Sequence, residues 1–145
     1  MDLETVSAED FGRSLKGIGV NLLTGDVRRL AAFLEGVFGA SVHRLSDDFA
    51  IVRHGDVMIQ VHGDRTYRAH PLLGLVPESP PRGGGVQLFL FGADPDRAVV
   101  RAEAFGGVAI EAPRAKPHGL YEATVLSAEG FAFTAAVSSE GREEA

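Results

Sequence analysis

The stretch that decides the fold is GVNLLTGDVRRLAAFLEGVFG, residues 19–39, because it joins a strand pattern to a helix pattern. The apolar run over residues 18–23 predicts a strand, and Asp26 is a residue type that commonly caps the N-terminus of a helix. The apolar side chains that follow recur at helical spacing and form one stripe: Val27, Leu30, Ala31, Leu34, Val37 and Phe38. Gly39 stands where a helix-ending glycine is expected.

A second copy of this pattern begins at Gly85, in GVQLFLFGADPDRAVVRAEAFG, residues 85–106. GVQL matches GVNL, and Asp94-Pro95 predicts a helix cap followed by proline at the first helical position. From the first glycine to the phenylalanine that precedes the closing glycine, the spacing is nineteen residues in the first copy and twenty in the second. The agreement indicates two similar modules, and a chance match of short apolar strings is the alternative.

Three short strands are predicted after each helix, at 40–45, 49–53 and 57–62 in the first copy and at 108–111, 121–126 and 131–137 in the second. Each copy therefore has the order β-α-β-β-β. Neither half can bury both its helix stripe and its sheet face alone, so the halves are expected to pair. The sequence predicts an α+β fold in a single domain, 17–137, with modules at 17–62 and 85–137.

The remaining segments lie outside the repeat. Residues 1–16 form an N-terminal extension, for which Ser7 as a cap and Phe11 with Leu15 as an i, i+4 pair predict a short helix. Residues 63–84 are rich in proline and glycine without a steady period, and they are predicted to be a linker between the modules. Residues 138–145 are predicted to be a flexible charged tail.

The composition argues against several classes of function. The chain has 145 residues, of which 45% are hydrophobic, and it contains no cysteine, which excludes disulfides and thiolate metal sites. Its net charge of −6 argues against nucleic acid as a partner. No apolar run approaches the roughly 18 residues of a membrane span, and the acidic start lacks the apolar core of a signal peptide. We therefore expect a cytoplasmic protein that binds neither nucleic acid nor membrane.

The two copies, together with KPHGLYEATVLSAEGFAF at residues 116–133, resemble the vicinal oxygen chelate superfamily. Its members include glyoxalases, extradiol dioxygenases and bleomycin-resistance proteins, and the resemblance covers residues 17–137. It implies two paired βαβββ modules whose curled sheets enclose a cleft. It also implies a homodimer, since relatives often dimerise.

The resemblance also bears on metal binding, because the enzymes of that superfamily hold one divalent metal with four side chains, two from each module. By resemblance, these positions fall on Gly19, Gln60, Gln87 and Thr134. That set offers no carboxylate and no imidazole, which divalent cations prefer as ligands. We therefore expect no bound metal, although a small shift of the alignment would bring His62 or Asn21 into the set.

Strand parity adds candidate ligand-binding residues. Gln60 and His62 share one face of their predicted strand, and Phe89 and Phe91 share a face with Gln87, a pattern typical of a pocket for a flat ligand or of plain sheet core. Tyr121 and Glu122 lie on opposite faces of one strand, so only one of them can face the cleft. The complete candidate set is Gln60, His62, Gln87, Phe89, Phe91, Tyr121, Glu122 and Thr134.

The sequence therefore predicts a protein that binds a small organic molecule in the cleft between the modules, without a cofactor and without catalysis. The alternative is a metal-dependent lyase, isomerase or dioxygenase of the same superfamily, with a displaced ligand set such as His62 and Gln87. A metal-free enzyme with Glu122 or His62 as general base is a further alternative. The metal content of the purified protein distinguishes a binding protein from a metalloenzyme.

Overall fold

The computed structural model describes residues 1–77 and 79–140. The chain divides into two units, Met1–Ala31 with Ala40–Leu75, and Ala32–Gly39 with the described residues from Val76 onward. Each unit contains one four-stranded mixed sheet. None of the helices in the described ranges has the length and hydropathy of a membrane span.

The first unit begins with a short helix and continues into its sheet. Its elements are α1 (Ala8–Ser14), β1 (Val20–Thr24), β2 (Ser41–His43), β3 (Phe49–His54) and β4 (Val57–Gly63). The strands lie in the order β1-β4-β3-β2, with β1 parallel to β4 and the other pairs antiparallel. Two short 3-10 turns, Asp64–Tyr67 and Pro71–Leu75, follow the sheet. Helix α2 (Val27–Phe38) contributes its residues up to Ala31 to this unit.

The second unit contains the rest of α2 and the second sheet. Its further elements are β5 (Gln87–Phe91), α3 (Pro95–Arg101), β6 (Val108–Ala115), β7 (Leu120–Leu126) and β8 (Ala132–Ser138). The strand order is β5-β8-β7-β6, with β5 parallel to β8. Both sheets thus have the same topology, and the predicted α+β fold of two βαβββ modules is confirmed.

The helices begin and end at the residues that local chemistry predicts. Asp26 accepts a hydrogen bond from the backbone N–H of Arg29 at 3.0 Å, and Asp94 accepts one from that of Asp96 at 2.9 Å. These carboxylates satisfy N–H groups that a helix leaves without an internal partner. Gly39, with φ of 74°, follows α2 in the left-handed conformation that favours glycine.

The apolar stripe of α2 is buried as predicted, with every member less than a tenth exposed: Val27, Leu30, Ala31, Leu34, Val37 and Phe38. In the second unit the rings of Phe33, Phe38 and Phe133 pack together with centroids 5.8 to 6.0 Å apart. In the first unit Leu3 and Phe11 pack against Ile51. The N-terminal extension is therefore part of the first unit's apolar core.

Some predicted boundaries were wrong. Strand β6 continues to Ala115 instead of ending at Glu111, because pairing with β7 resumes after two register irregularities. The first strand begins at Val20, and Ile18 is 95% exposed. Ser138, predicted to lie in the tail, pairs with Leu120 as the last residue of β8. Residues 141–145 of the predicted tail lie outside the described residues.

Candidate functional site

The second sheet has a polar face that is built around two hydroxyl groups. Thr124 on β7 and Thr134 on β8 are cross-strand partners, and their Oγ1 atoms lie 2.7 Å apart. Gln87 on β5 donates from Nε2 to Thr134 Oγ1, also at 2.7 Å. The three side chains form one hydrogen-bonded row across the sheet, with the buried Thr134 hydroxyl at its centre.

An open cavity of about 710 Å³ lies over this face. Its apolar walls include Val86, Ile110 and Leu126, and its polar walls include Gln87, Glu111, Lys116, Glu122 and Thr124. Lys116 and Glu111 form an ion pair of 2.8 Å in this wall. The volume lies within the roughly 300 to 1,000 Å³ of small-molecule sites, and the mixture of apolar walls with a few polar groups is typical of them.

Glu122 places a buried carboxyl group in the cavity wall. The residue is 5% exposed, and within the described part of the chain Oε2 has no hydrogen-bond partner. His118 Nε2 lies 4.0 Å from Oε2, which is too far for a hydrogen bond. A buried polar atom without a partner costs about 1–3 kcal/mol, so a donor supplied from outside the protein would offset that cost.

Tyr121 lies on the other face of β7. Its hydroxyl donates to Asp96 Oδ1 on α3 at 2.6 Å. The strand therefore turns Glu122 toward the cavity and Tyr121 toward the helix, which answers the question that strand parity left open. Tyr121 therefore lies in the contact between β7 and α3 and outside the wall of this cavity, and its role in ligand binding stays a prediction.

Phe89 and Phe91 lie farther along β5 than Gln87. Phe89 pairs with Thr134 across the sheet, so it shares the polar face as predicted. The two rings stack with centroids 5.5 Å apart, and they are 38% and 61% exposed. They lie outside the wall of the cavity, so their role in ligand binding stays a prediction.

The first sheet has its own polar group, formed by Asn21, Gln60 and His62. Asn21 on β1 is the register partner of Gln60 on β4, and His62 lies two residues after Gln60 on the same face. His62 Nδ1 lies 2.5 Å from Asn21 Oδ1, and Asn21 Nδ2 donates to the Tyr67 hydroxyl at 2.7 Å. Gln60 and His62 both line a cavity beneath α1.

The contacts of Asn21 indicate which ring nitrogen of His62 carries the proton in the neutral form. Because the Asn21 amide nitrogen faces Tyr67, its carbonyl oxygen faces His62, and His62 Nδ1 is the donor of their hydrogen bond. Nε2 is then the acceptor nitrogen of the ring. Burial lowers the pKa of His62 below its ordinary value, which favours this neutral form.

The residues present do not fit the divalent metal that the resemblance implies. Groups of three or more His, Asp or Glu side chains suited to a metal are absent from residues 1–77 and 79–140. In the second unit the two implied positions are neutral, and Thr134 Oγ1 is already hydrogen-bonded to Gln87 and Thr124. In the first unit Gly19 has no side chain to offer beside Gln60. Neutral amide and hydroxyl groups compensate poorly for the hydration that a cation loses.

Sequence reasoning missed several residues of the two polar groups and of the cavity wall over the second sheet. Thr124 has the same strand parity as Glu122, so its position could have been predicted from the spacing alone. Glu111 lies at an irregular part of β6, where parity fails, and Lys116 follows the end of that strand. Tyr67 lies in the segment without a period, and no local signal predicts its contact with Asn21.

Comparisons with known proteins support the fold. No family model and no curated protein matches the sequence. Among solved structures, a glyoxalase/bleomycin resistance protein/dioxygenase family enzyme from Burkholderia phytofirmans is 23% identical, with a TM-score of 0.66 over 95% of this chain and 99% of that one. A hypothetical protein from S. aureus is 17% identical, with a TM-score of 0.67 over 85% and 94% of the two chains.

The fosfomycin resistance protein FosX from Mesorhizobium loti is 16% identical, with a TM-score of 0.59 over 86% of this chain and 93% of that one. These similarities extend over nearly the full length of the chain. The chain therefore has the fold of the glyoxalase/bleomycin resistance/dioxygenase proteins.

Proposed function

We propose that this protein reversibly binds a small organic molecule in the cavity of the second unit, without a bound metal. The observation that carries the proposal is Glu122, whose buried Oε2 lies in the cavity wall without a donor in the described part of the chain. A hydrogen-bond-donating or cationic group of the ligand would supply that donor. Hydrogen bonds to charged groups are among the stronger ones in proteins, so Glu122 is the main anchor.

The rest of the cavity suits the body of such a ligand. Val86, Ile110 and Leu126 offer apolar contact, while Gln87 and Thr124 can exchange weaker hydrogen bonds with it. Reversible binding requires only such walls and anchors. Two of the structures with this fold are named for a glyoxalase/bleomycin resistance protein and a fosfomycin resistance protein, and those names associate the fold with small organic drugs.

The ligand chemistry can be tested with benzylamine and benzoate as matched cationic and anionic probes, with binding measured by calorimetry. We expect benzylamine to bind more tightly, and Glu122→Gln to weaken it by about 1.5–3 kcal/mol, the contribution of a hydrogen bond to a charged group. Glu103→Gln, at an exposed position on the same unit, is the matched control and should bind as the wild type does. Equal binding of the two probes, or an unchanged affinity after Glu122→Gln, would refute the proposal.

The metal-free state has a separate test. We expect elemental analysis of protein purified without chelator to find no stoichiometric divalent metal. Added Zn²⁺, Mn²⁺, Fe²⁺ or Ni²⁺ should hardly change the melting temperature, whereas a true site would stabilise the fold by about 2.7 kcal/mol at a hundred times its dissociation constant. One metal per chain would favour the metalloenzyme alternative instead.

A further inference from the structure

The first unit contains a cavity of its own, beneath the N-terminal segment. It has a volume of about 430 Å³ and lies between α1 and the face formed by β3 and β4. Its wall includes Phe11, Leu15, Phe49, Ile51, Gln60 and His62. Arg44 is part of the same wall, so aromatic and aliphatic side chains surround three polar ones, which is the composition of a small-molecule site.

The N-terminal segment is fixed over this cavity by specific contacts. Phe11 is 6% exposed and packs with Leu3 and Ile51. The backbone N–H of Arg44 donates to Glu4 Oε1 at 3.1 Å, and the Arg44 guanidinium donates to the Val6 carbonyl at 2.5 Å. Residues 3–15 therefore form a roof over the cavity, held by apolar packing and by hydrogen bonds from Arg44.

His62 contributes a hydrogen-bond acceptor to the wall of this cavity. Asn21 occupies Nδ1, so Nε2 is the ring nitrogen that remains to accept a hydrogen bond. Burial lowers the pKa of His62, so a ligand cannot rely on a charged imidazolium here. Arg44 also lines the cavity, and its positive charge disfavours a cationic ligand.

These conditions define one class of ligand. We propose that the first unit binds a neutral aromatic molecule carrying one O–H or N–H donor, with its ring against the apolar wall that contains Phe11 and Leu15 and its donor on His62 Nε2. The proposal concerns a site separate from the Glu122 cavity and does not depend on it.

Leu15 is placed to control access to this site. Leu15 and Gln60 also line a neighbouring cavity of about 440 Å³, whose other walls come from residues 14–20 and 56–58. Leu15 therefore borders both this outer cavity and the space beneath α1, and its side chain is 38% exposed. A larger side chain at this position should narrow the space available to a ligand.

The experiment compares 2-naphthol with 2-methoxynaphthalene, which has the same ring system but no donor. We expect 2-naphthol to bind about three- to tenfold more tightly, the contribution of one hydrogen bond between neutral groups. His62→Phe should remove that preference, while Glu122→Gln should leave it unchanged. In the wild-type protein the ¹⁵N resonance of His62 Nε2 should shift during titration with 2-naphthol and stay in place with the ether.

Leu15→Trp is the second variant, since it alters the cavity and leaves the hydrogen-bonding groups intact. We expect it to weaken both probes, while Val100→Trp, at an exposed position of α3, should weaken neither. The proposal is overturned if neither probe binds the wild-type protein, if both bind equally, or if the Nε2 resonance does not respond to 2-naphthol. It is equally overturned if a correctly folded His62→Phe variant keeps the preference for the naphthol.

Discussion

Glu122, the proposed anchor of the ligand, is a residue whose burial should reduce the stability of the protein. Its carboxyl group is removed from water by burial, yet Oε2 has no hydrogen-bond partner in the described part of the chain. Burial without a partner is unfavourable because the group loses its hydration and gains no bond in exchange. A ligand that donates to Oε2 would recover part of this free energy, so affinity and instability have the same origin.

Because the burial of Glu122 Oε2 is unfavourable, an apolar residue of similar volume at position 122 should stabilise the ligand-free protein. We expect Glu122→Met to raise the free energy of unfolding by about 1–3 kcal/mol, the cost of a buried polar atom without a partner. Urea unfolding at neutral pH measures the change. The matched control is Glu103→Met at an exposed position, which should alter stability little. A less stable Glu122→Met variant would show that Glu122 is satisfied in the folded protein.

His62 predicts a dependence of stability on pH. Burial lowers its pKa in the folded state below the ordinary value of 6.5, so between the two pKa values the unfolded chain binds more protons than the folded one. The stability associated with neutral His62 is therefore complete above pH 6.5 and is lost as the pH falls through the lowered pKa. We expect His62→Phe to lose less stability than the wild type between pH 7.5 and pH 5, measured by urea unfolding at each pH. An identical loss in both proteins would contradict this.

At the scale of elements, α1 lines the proposed site of the first unit, yet its own helix-forming tendency is weak. It has only seven residues, and Gly12 stands in its interior. So short a helix is marginal by itself, and its stability comes from packing of residues such as Phe11 against the sheet. A roof held mainly by packing can open locally without unfolding the sheet beneath it.

The weakness of α1 can be corrected by a single substitution. A Cβ at Gly12 would meet nothing within 4 Å, so Gly12→Ala should stabilise the helix by about 0.5–1 kcal/mol. Hydrogen exchange of the α1 amides should slow accordingly. Gly17→Ala is the matched control and should not stabilise the protein, because Gly17 has φ of 71° and alanine is disfavoured in that conformation. Faster exchange in Gly12→Ala would indicate that the added methyl group disturbs the roof.

Elements with local signals were predicted well, and elements that depend on distant contacts were not. Helices α2 and α3 follow from their caps at Asp26 and Asp94, which act within three residues of the chain. The 3-10 turn that contains Tyr67 is attached to the sheet through Asn21, a partner 46 residues away. No periodicity in the sequence reports such a contact, so this segment was predicted only as a linker.

At the scale of the whole molecule, the candidate site was also predictable where it depends on local pattern and not where it depends on packing. Resemblance placed Gln87 and Thr134 at neighbouring positions, and their hydrogen bond agrees with that placement. Parity put Tyr121 and Glu122 on opposite faces but could not assign either face to the helix. The contact of Tyr121 with Asp96 makes that assignment, and it requires the packing of α3 on β7. The burial of Glu122 is likewise a property of the assembled unit.

The assembly of the protein is the remaining prediction, and it rests on the second sheet. Strand β5 lies at the edge of that sheet, a place where strands of two chains can pair, and the rings of Phe89 and Phe91 are exposed on it. A second copy of the chain can cover both features through a twofold axis, so we predict a homodimer with β5 in its interface. Sedimentation at micromolar concentration should show the dimer, and Phe91→Lys should shift it toward monomer by placing like charges opposite each other. Val100→Lys, on the exposed side of α3, should leave the dimer intact. A wild-type protein that stays monomeric at high micromolar concentration would refute the dimer, and a Phe91→Lys variant that still dimerises would place the interface elsewhere.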